Sequence, residues 1–252
     1  MAFPKNARPV MLSSILLAVL APVSYCAEIQ PAPKPAEAII PVEADSPQAE
    51  LVPVSLKPIA NQRMEHLSPP TGRITLGGIP FEVPEEGNNT FQSGATATGK
   101  IDVQVRKARA LHILMNAGWG VEFRGRRVGA VTLTFTDGMA VSFPIVCGES
   151  VRETWDFLDE AAGRKMAKPL ADIQWRNVLE EQQNRGRPAV AYIDMLTLQI
   201  PEGLAGRTLA AVTIVDQSKE TPESRGAVLE VYGMTVRAAV TEAEPIPPPG
   251  RG

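Results

Sequence analysis

The stretch "VGAVTLTFTDGMAVSFPI", Val128 to Ile145, constrains the fold more than any other because its chemistry repeats every two residues. Val131, Leu133 and Phe135 alternate with Thr132, Thr134 and Thr136; Asp137-Gly138 intervenes; Val141, Phe143 and Ile145 then resume the alternation. A period of two places the apolar set on one face of a β-strand, whereas a helix would scatter it round the circumference. Asp-Gly supplies the positive φ angles of a tight two-residue turn, so the stretch reads as a hairpin. Leu133, Phe135 and Phe143, with Ile113 and Phe81 from other strands, are expected to be nearly inaccessible.

The same pattern recurs along residues 64–239, which read as one domain of short strands separated by Gly, Pro, Asn and Asp. "ITLGGIPFEV" puts Ile79, Phe81 and Val83 on one face, and "KIDVQV" does the same for Ile101, Val103 and Val105. In "RALHILM", Leu111, Ile113 and Met115 share one face while Leu114 takes the other, which predicts a central strand covered on both sides. "AYIDMLTLQI", "RTLAAVTIVD" and "AVLEVYGMTV" follow, each bounded by turn formers. Seven or more strands with little helical pattern predict an all-β fold, an antiparallel β-sandwich. The exception is "ETWDFLDEAAGRKMAKPLADIQWRNVLEEQQNRGRP": its Ala and Glu favour helix, but Gly163 and Pro169 interrupt it. It is expected to be a long, partly helical loop, with "DIQW" as a short returning strand.

Outside the domain the composition changes. Residues 1–27 read as an export signal, with Lys5 and Arg8 ahead of the short apolar run "VMLSSILLAVLAPV". The run falls short of the ~20 apolar residues that cross a bilayer, so no transmembrane span is expected. The chain should be secreted or periplasmic. The alternative is a lipid anchor through Cys26, against which the bulk of Tyr25 stands. Residues 28–63 carry seven prolines between Glu28 and Ala60 without a steady apolar period and read as a flexible linker; residues 240–252 read as a disordered tail. With the signal removed, Cys147 is the one cysteine left, so no internal disulfide is expected and Cys147 reads as a small buried hydrophobe.

The order of the elements resembles the exported jelly rolls of the galactose-binding-domain-like class, which includes many carbohydrate-binding modules. The resemblance is carried by "LGGIPFEV", "ARALHILMNAGW", the hairpin with its Trp-bearing loop "GESVRETW", "DIQW" with Tyr192 downstream, and "LAGRTLAAVTIVD", spanning about Ile74 to Val236. It implies a jelly roll and a tendency to bind sugars or partners at loop tips, but no particular ligand.

Enzymatic chemistry finds little purchase. There is no HExxH, GxSxG, phosphate-cradling Gly loop or paired-cysteine motif. His66 lies at the start of the domain, ahead of its first strand pattern, and His112, inside an apolar strand, reads as a structural imidazole. Glu149, Asp156 and Asp159 near a Trp loop leave a two-carboxylate glycosidase as the third reading. A net charge of −3 argues against a nucleic-acid partner. No cofactor is expected; "PEEGNN" offers Glu85, Glu86, Asn88 and Asn89 as oxygen ligands of the kind a structural calcium takes, though without a fixed ligand spacing, and an ordinary solvated loop is the alternative. The leading expectation is a non-catalytic module binding a carbohydrate or glycan-bearing surface through Trp155, Trp175, Tyr192, Glu149, Arg152, Asp156 and Trp119. Indole faces cover sugar rings while polar groups bond the hydroxyls. The alternative is a structural or adaptor domain that docks a protein partner.

Overall fold

The structure, a computed structural model, describes residues 49–64, 69–93, 98–118, 125–155, 171–184, 187–217 and 227–240, with the backbone alone for 171–184 and 187–189. These residues form twelve strands and no helix: β1 (Ala49–Val54), β2 (Gly72–Leu76), β3 (Ile79–Val83), β4 (Phe91–Gln92), β5 (Thr98–Val105), β6 (Ala108–Gly118), β7 (Arg127–Phe135), β8 (Ala140–Val146), β9 (Ala171–Asn184), β10 (Arg187–Gln199), β11 (Leu209–Asp216) and β12 (Val228–Ala239). One sheet runs β1-β12-β6-β10-β9, with β4 continuing the line of β1 along β12. A second runs β5-β11-β7-β8, and β2-β3 is a separate hairpin. Every strand pairing is antiparallel.

The two larger sheets share one core in a sandwich-like arrangement. Ile101, Val103 and Val105 of β5, Val131, Leu133 and Phe135 of β7, and Val212 and Ile214 of β11 meet Leu111, Ile113 and Met115 of β6 and Val231, Met234 and Val236 of β12. The runs of β5, β6, β7 and β11 obey the period-two rule, that of β12 shifts phase by one residue at a bulge between Val231 and Gly233, and the residues between the buried ones on β5 are exposed. Strand β6 is central and has two buried faces: Leu114 points away from the shared core into a second cluster with Met64, Phe81, Ala191, Ile193 and Tyr232. The β2-β3 hairpin supplies Phe81 to that cluster, and its Pro80 carbonyl accepts the Thr235 hydroxyl of β12.

Four expectations are corrected. The Asp137-Gly138 hairpin closes on three residues, Thr136 to Gly138, rather than two. Gly138 N–H donates to Phe135 O at 3.0 Å, Phe135 N–H donates to Met139 O at 2.8 Å, and φ is positive only at Gly138 (84°), the left-handed position of a type I turn with a bulge. Phe143 is half-buried because β8 is an edge strand, whereas Leu133, Phe135, Ile113 and Phe81 are buried as expected. The stretch expected to be a partly helical loop with "DIQW" as a short returning strand is more extended than that: all of 171–184, "DIQW" included, is a strand paired along β10, so ladder pairing overrides the helix propensity of "VLEEQQN"; residues 156–170 lie outside the described residues. Finally, the prolines of the linker stretch do not keep Ala49–Val54 out of the sheet. These residues pair with β12 as an edge strand, where Pro53 can sit with its missing N–H turned away from the ladder.

Candidate functional site

The site begins with a fork in the first sheet. Strands β6 and β10 pair from Gln199↔Ala110 to Asp194↔Met115 and then separate. Asn116 holds the fork open: its Oδ1 accepts the Asp194 N–H at 3.1 Å, in place of a ladder bond. Into the gap runs the segment after the hairpin, which becomes a short inserted strand. Ala117 N–H donates to Arg152 O (2.9 Å), Thr154 N–H to Ala117 O (3.3 Å) and Tyr192 N–H to Thr154 O (3.0 Å), while Trp155 pairs antiparallel with Ala191. A compact turn aims the segment there. Gly148 has φ 80° and its N–H donates to Val151 O, and the Ser150 Oγ accepts the Val146 N–H.

The insertion collects polar groups that are far apart in sequence. Arg152 Nε donates to Asp194 Oδ2 at 2.5 Å, and the guanidinium carbon lies 5.8 Å from the centre of the Tyr192 ring. The Arg152 side chain is 12% exposed and that of Asp194 1%. Trp155 packs half-buried against the second cluster with its bridge partner Ala191, on the opposite face of β10 from Tyr192, which is also half-buried. Deeper in, Glu230 accepts from Thr154 Oγ1 (2.6 Å), Tyr232 OH (2.9 Å) and Gln92 Nε2 (3.3 Å). Accepting three donors suits an ionised carboxylate, which has no proton of its own to offer. Burial first, and then the negative charge of Glu230, holds the Tyr232 phenol well above its ordinary pKa, so it remains a donor. Buried Glu153 accepts the Thr154 N–H through Oε1.

Of the residues expected from the sequence, Arg152 and Tyr192 come together here, while Trp155, on the same inserted strand, is bridged to Ala191 and turned to the second cluster. Trp175 lies on β9 opposite Ile193, one residue along from Tyr192, with its side chain outside the described residues. Glu149 does not join them: it is exposed on the turn between β8 and the inserted strand. Asp156 and Trp119 lie outside the described residues, as do Asp159 and His66. The sequence reading missed Asp194, Asn116 and Glu230. Their signal was there, since each is a lone polar residue inside an apolar run, "YIDML", "ILMNA" and "VLEVY", and such residues enter a core only with partners.

Other candidates are structural. His112 is buried with Nδ1 3.0 Å from Thr197 Oγ1; burial, and then the charge of Arg237, lowers its pKa to about 4. In the "PEEGNN" loop, Asn89 Oδ1 accepts the Met64 N–H and the Thr90 hydroxyl, both at 3.1 Å, which ties the loop to the chain. Among the described residues no group of three His, Cys, Asp or Glu side chains converges as a metal would require. Cys147 is buried. A surface depression between Lys57, Arg73, Glu82 and Glu85 lies elsewhere and carries mixed charge without an aromatic wall. No helix of the described residues is long and apolar enough to cross a membrane. Comparison of the chain with protein-family models, with curated proteins and with solved structures found no match.

Proposed function

We propose that the protein is an exported, non-catalytic binding module that recognises a carbohydrate or glycan-bearing surface at the fork between β6 and β10. The observation that carries this reading is the Arg152 guanidinium, fixed over the half-buried Tyr192 ring at the fork. A sugar ring offers an apolar face and a rim of hydroxyls, so an aromatic wall beside oriented donors complements both. The jelly-roll resemblance of the quoted strings and the two-sheet core support the same reading at the level of fold. An adaptor that docks a protein is less well supported. The exposed large hydrophobics among the described residues are Met139 and Val240, whereas a docking patch spans several hundred Å² of contiguous apolar surface. The N-terminal stretch that reads as an export signal supports a secreted or periplasmic setting, with a lipid anchor at Cys26 as the alternative.

Affinity electrophoresis through a panel of soluble polysaccharides tests the reading. At least one glycan should retard the parent chain, and Tyr192→Ala and Arg152→Gln, shown by circular dichroism to be folded, should lose most of that retardation. Full retention by both folded variants would remove the fork from consideration as the site.

A further inference from the structure

We infer that the Arg152–Asp194 pair makes the fork selective for uncharged saccharides over polyuronates. The inference rests on the glycan-binding reading above and concerns which glycans the site accepts. Asp194 engages Arg152 through Nε, and the Arg152 side chain forms no other hydrogen bond or ion pair among the described residues. A guanidinium carries donors on Nε and on both Nη nitrogens, so the Nη edge keeps its donors. The Asp194 bond and the Tyr192 ring fix the plane of the group, and little ordering remains to be done when a ligand arrives.

Such an edge fits two kinds of acceptor. One is a pair of adjacent hydroxyl oxygens on a sugar ring, and the other is a carboxylate, the more usual partner of a free guanidinium. Charge decides between them. The Asp194 carboxylate is nearly inaccessible and at hydrogen-bond distance, so it already neutralises the cation. A uronate carboxylate on the Nη edge would face this second anion across one guanidinium, in surroundings where salt screens weakly. Hydroxyl oxygens take the same donors without that repulsion. Asp194 is therefore a positioning residue: it orients Arg152 and cancels its charge.

The full chain is run by affinity electrophoresis against neutral polysaccharides, a soluble β-glucan and a galactomannan, and against polygalacturonate. The parent should be retarded by a neutral polymer at concentrations roughly tenfold or more below any that act with polygalacturonate. Asp194→Asn keeps the shape and removes the cancelling charge. It should gain retardation by polygalacturonate. Arg152→Lys replaces the fixed fork by a point charge and should weaken neutral-glycan retardation about tenfold. Equal retardation of the parent by polygalacturonate and the neutral polymers would overturn the inference and leave glycan binding standing. So would a folded Arg152→Lys variant that binds neutral glycan like the parent. A parent retarded by no polysaccharide would sink both. If Asp194→Asn fails to fold, the parent's own preference and the Arg152→Lys result still decide.

Discussion

Replacing His112 by Gln should flatten the acid sensitivity of the fold. The imidazole is buried between its register neighbours Thr235 of β12 and Thr197 of β10, and it is held neutral with a pKa of about 4. In the unfolded chain the same group titrates at 6.5. Above pH 6.5 both states carry a neutral ring and the contribution to stability is complete. As the pH falls from 6.5 toward 4, the unfolded chain takes up a proton that the folded chain refuses, so stability declines; below about 4 both states are protonated and the loss levels off. Linkage puts the loss at about 2.5 kcal/mol by about pH 4.5. Gln keeps a polar group beside Thr197 and cannot titrate. Its own packing cost is present at both pH values and cancels in the comparison, as do the carboxylates common to both proteins. Urea melts of parent and variant at about pH 7.5 and about pH 4.5 give the four stabilities required. The parent should lose about 2.5 kcal/mol more than His112→Gln between the two. A difference within about 0.5 kcal/mol would refute the argument, because it would mean that the folded chain protonates His112 as readily as the unfolded one.

Two further substitutions probe the packing. Phe135→Ala should cost about 3–5 kcal/mol in urea melts, and Phe143→Ala on the half-buried edge strand clearly less; equal losses would show that β8 is as enclosed as β7. Gly129→Ala should destabilise by about 1–3 kcal/mol or more although its φ is ordinary. Its new Cβ would lie 2.5 Å from the Val215 carbonyl oxygen and 2.6 Å from Leu229 Cδ1, and backbone cannot step aside cheaply; an unchanged melting midpoint would contradict this close approach.

What could be read from the sequence is what local periodicity encodes. The buried faces of β5, β6 and β7 follow from alternation alone, and the two-faced burial of β6 follows from Leu114 standing among Leu111, Ile113 and Met115. The errors lie where a neighbouring strand overrides local preference. "VLEEQQN" favours helix in isolation, but β10 captures its backbone, and Pro53 reads as linker until an edge position makes it harmless. The aromatic and basic part of the site, Arg152 and Tyr192, was legible as a loop beside Trp155 with a downstream Tyr, though Trp155 itself turns to the second cluster. Its inner part was not, because Asn116, Asp194 and Glu230 meet only through the pairing of β6, β10 and β12, and no spacing along the chain records that.

The strand inserted at the fork also bears on the order in which the molecule can assemble. The chain leaves β8 in one sheet and within a few residues is hydrogen-bonded in the other, between two strands whose sequence positions bracket its own. During synthesis Val151 to Trp155 emerges well before Ala191 and Tyr192 exist to close the far side of the gap. The β7-β8 hairpin can form early and locally, whereas the seat of Arg152 must wait for a distant, entropically costly closure. A nascent chain halted before β10 could hold the hairpin intact and still possess no Arg152–Asp194 pair, which makes the closed fork a property of the finished chain.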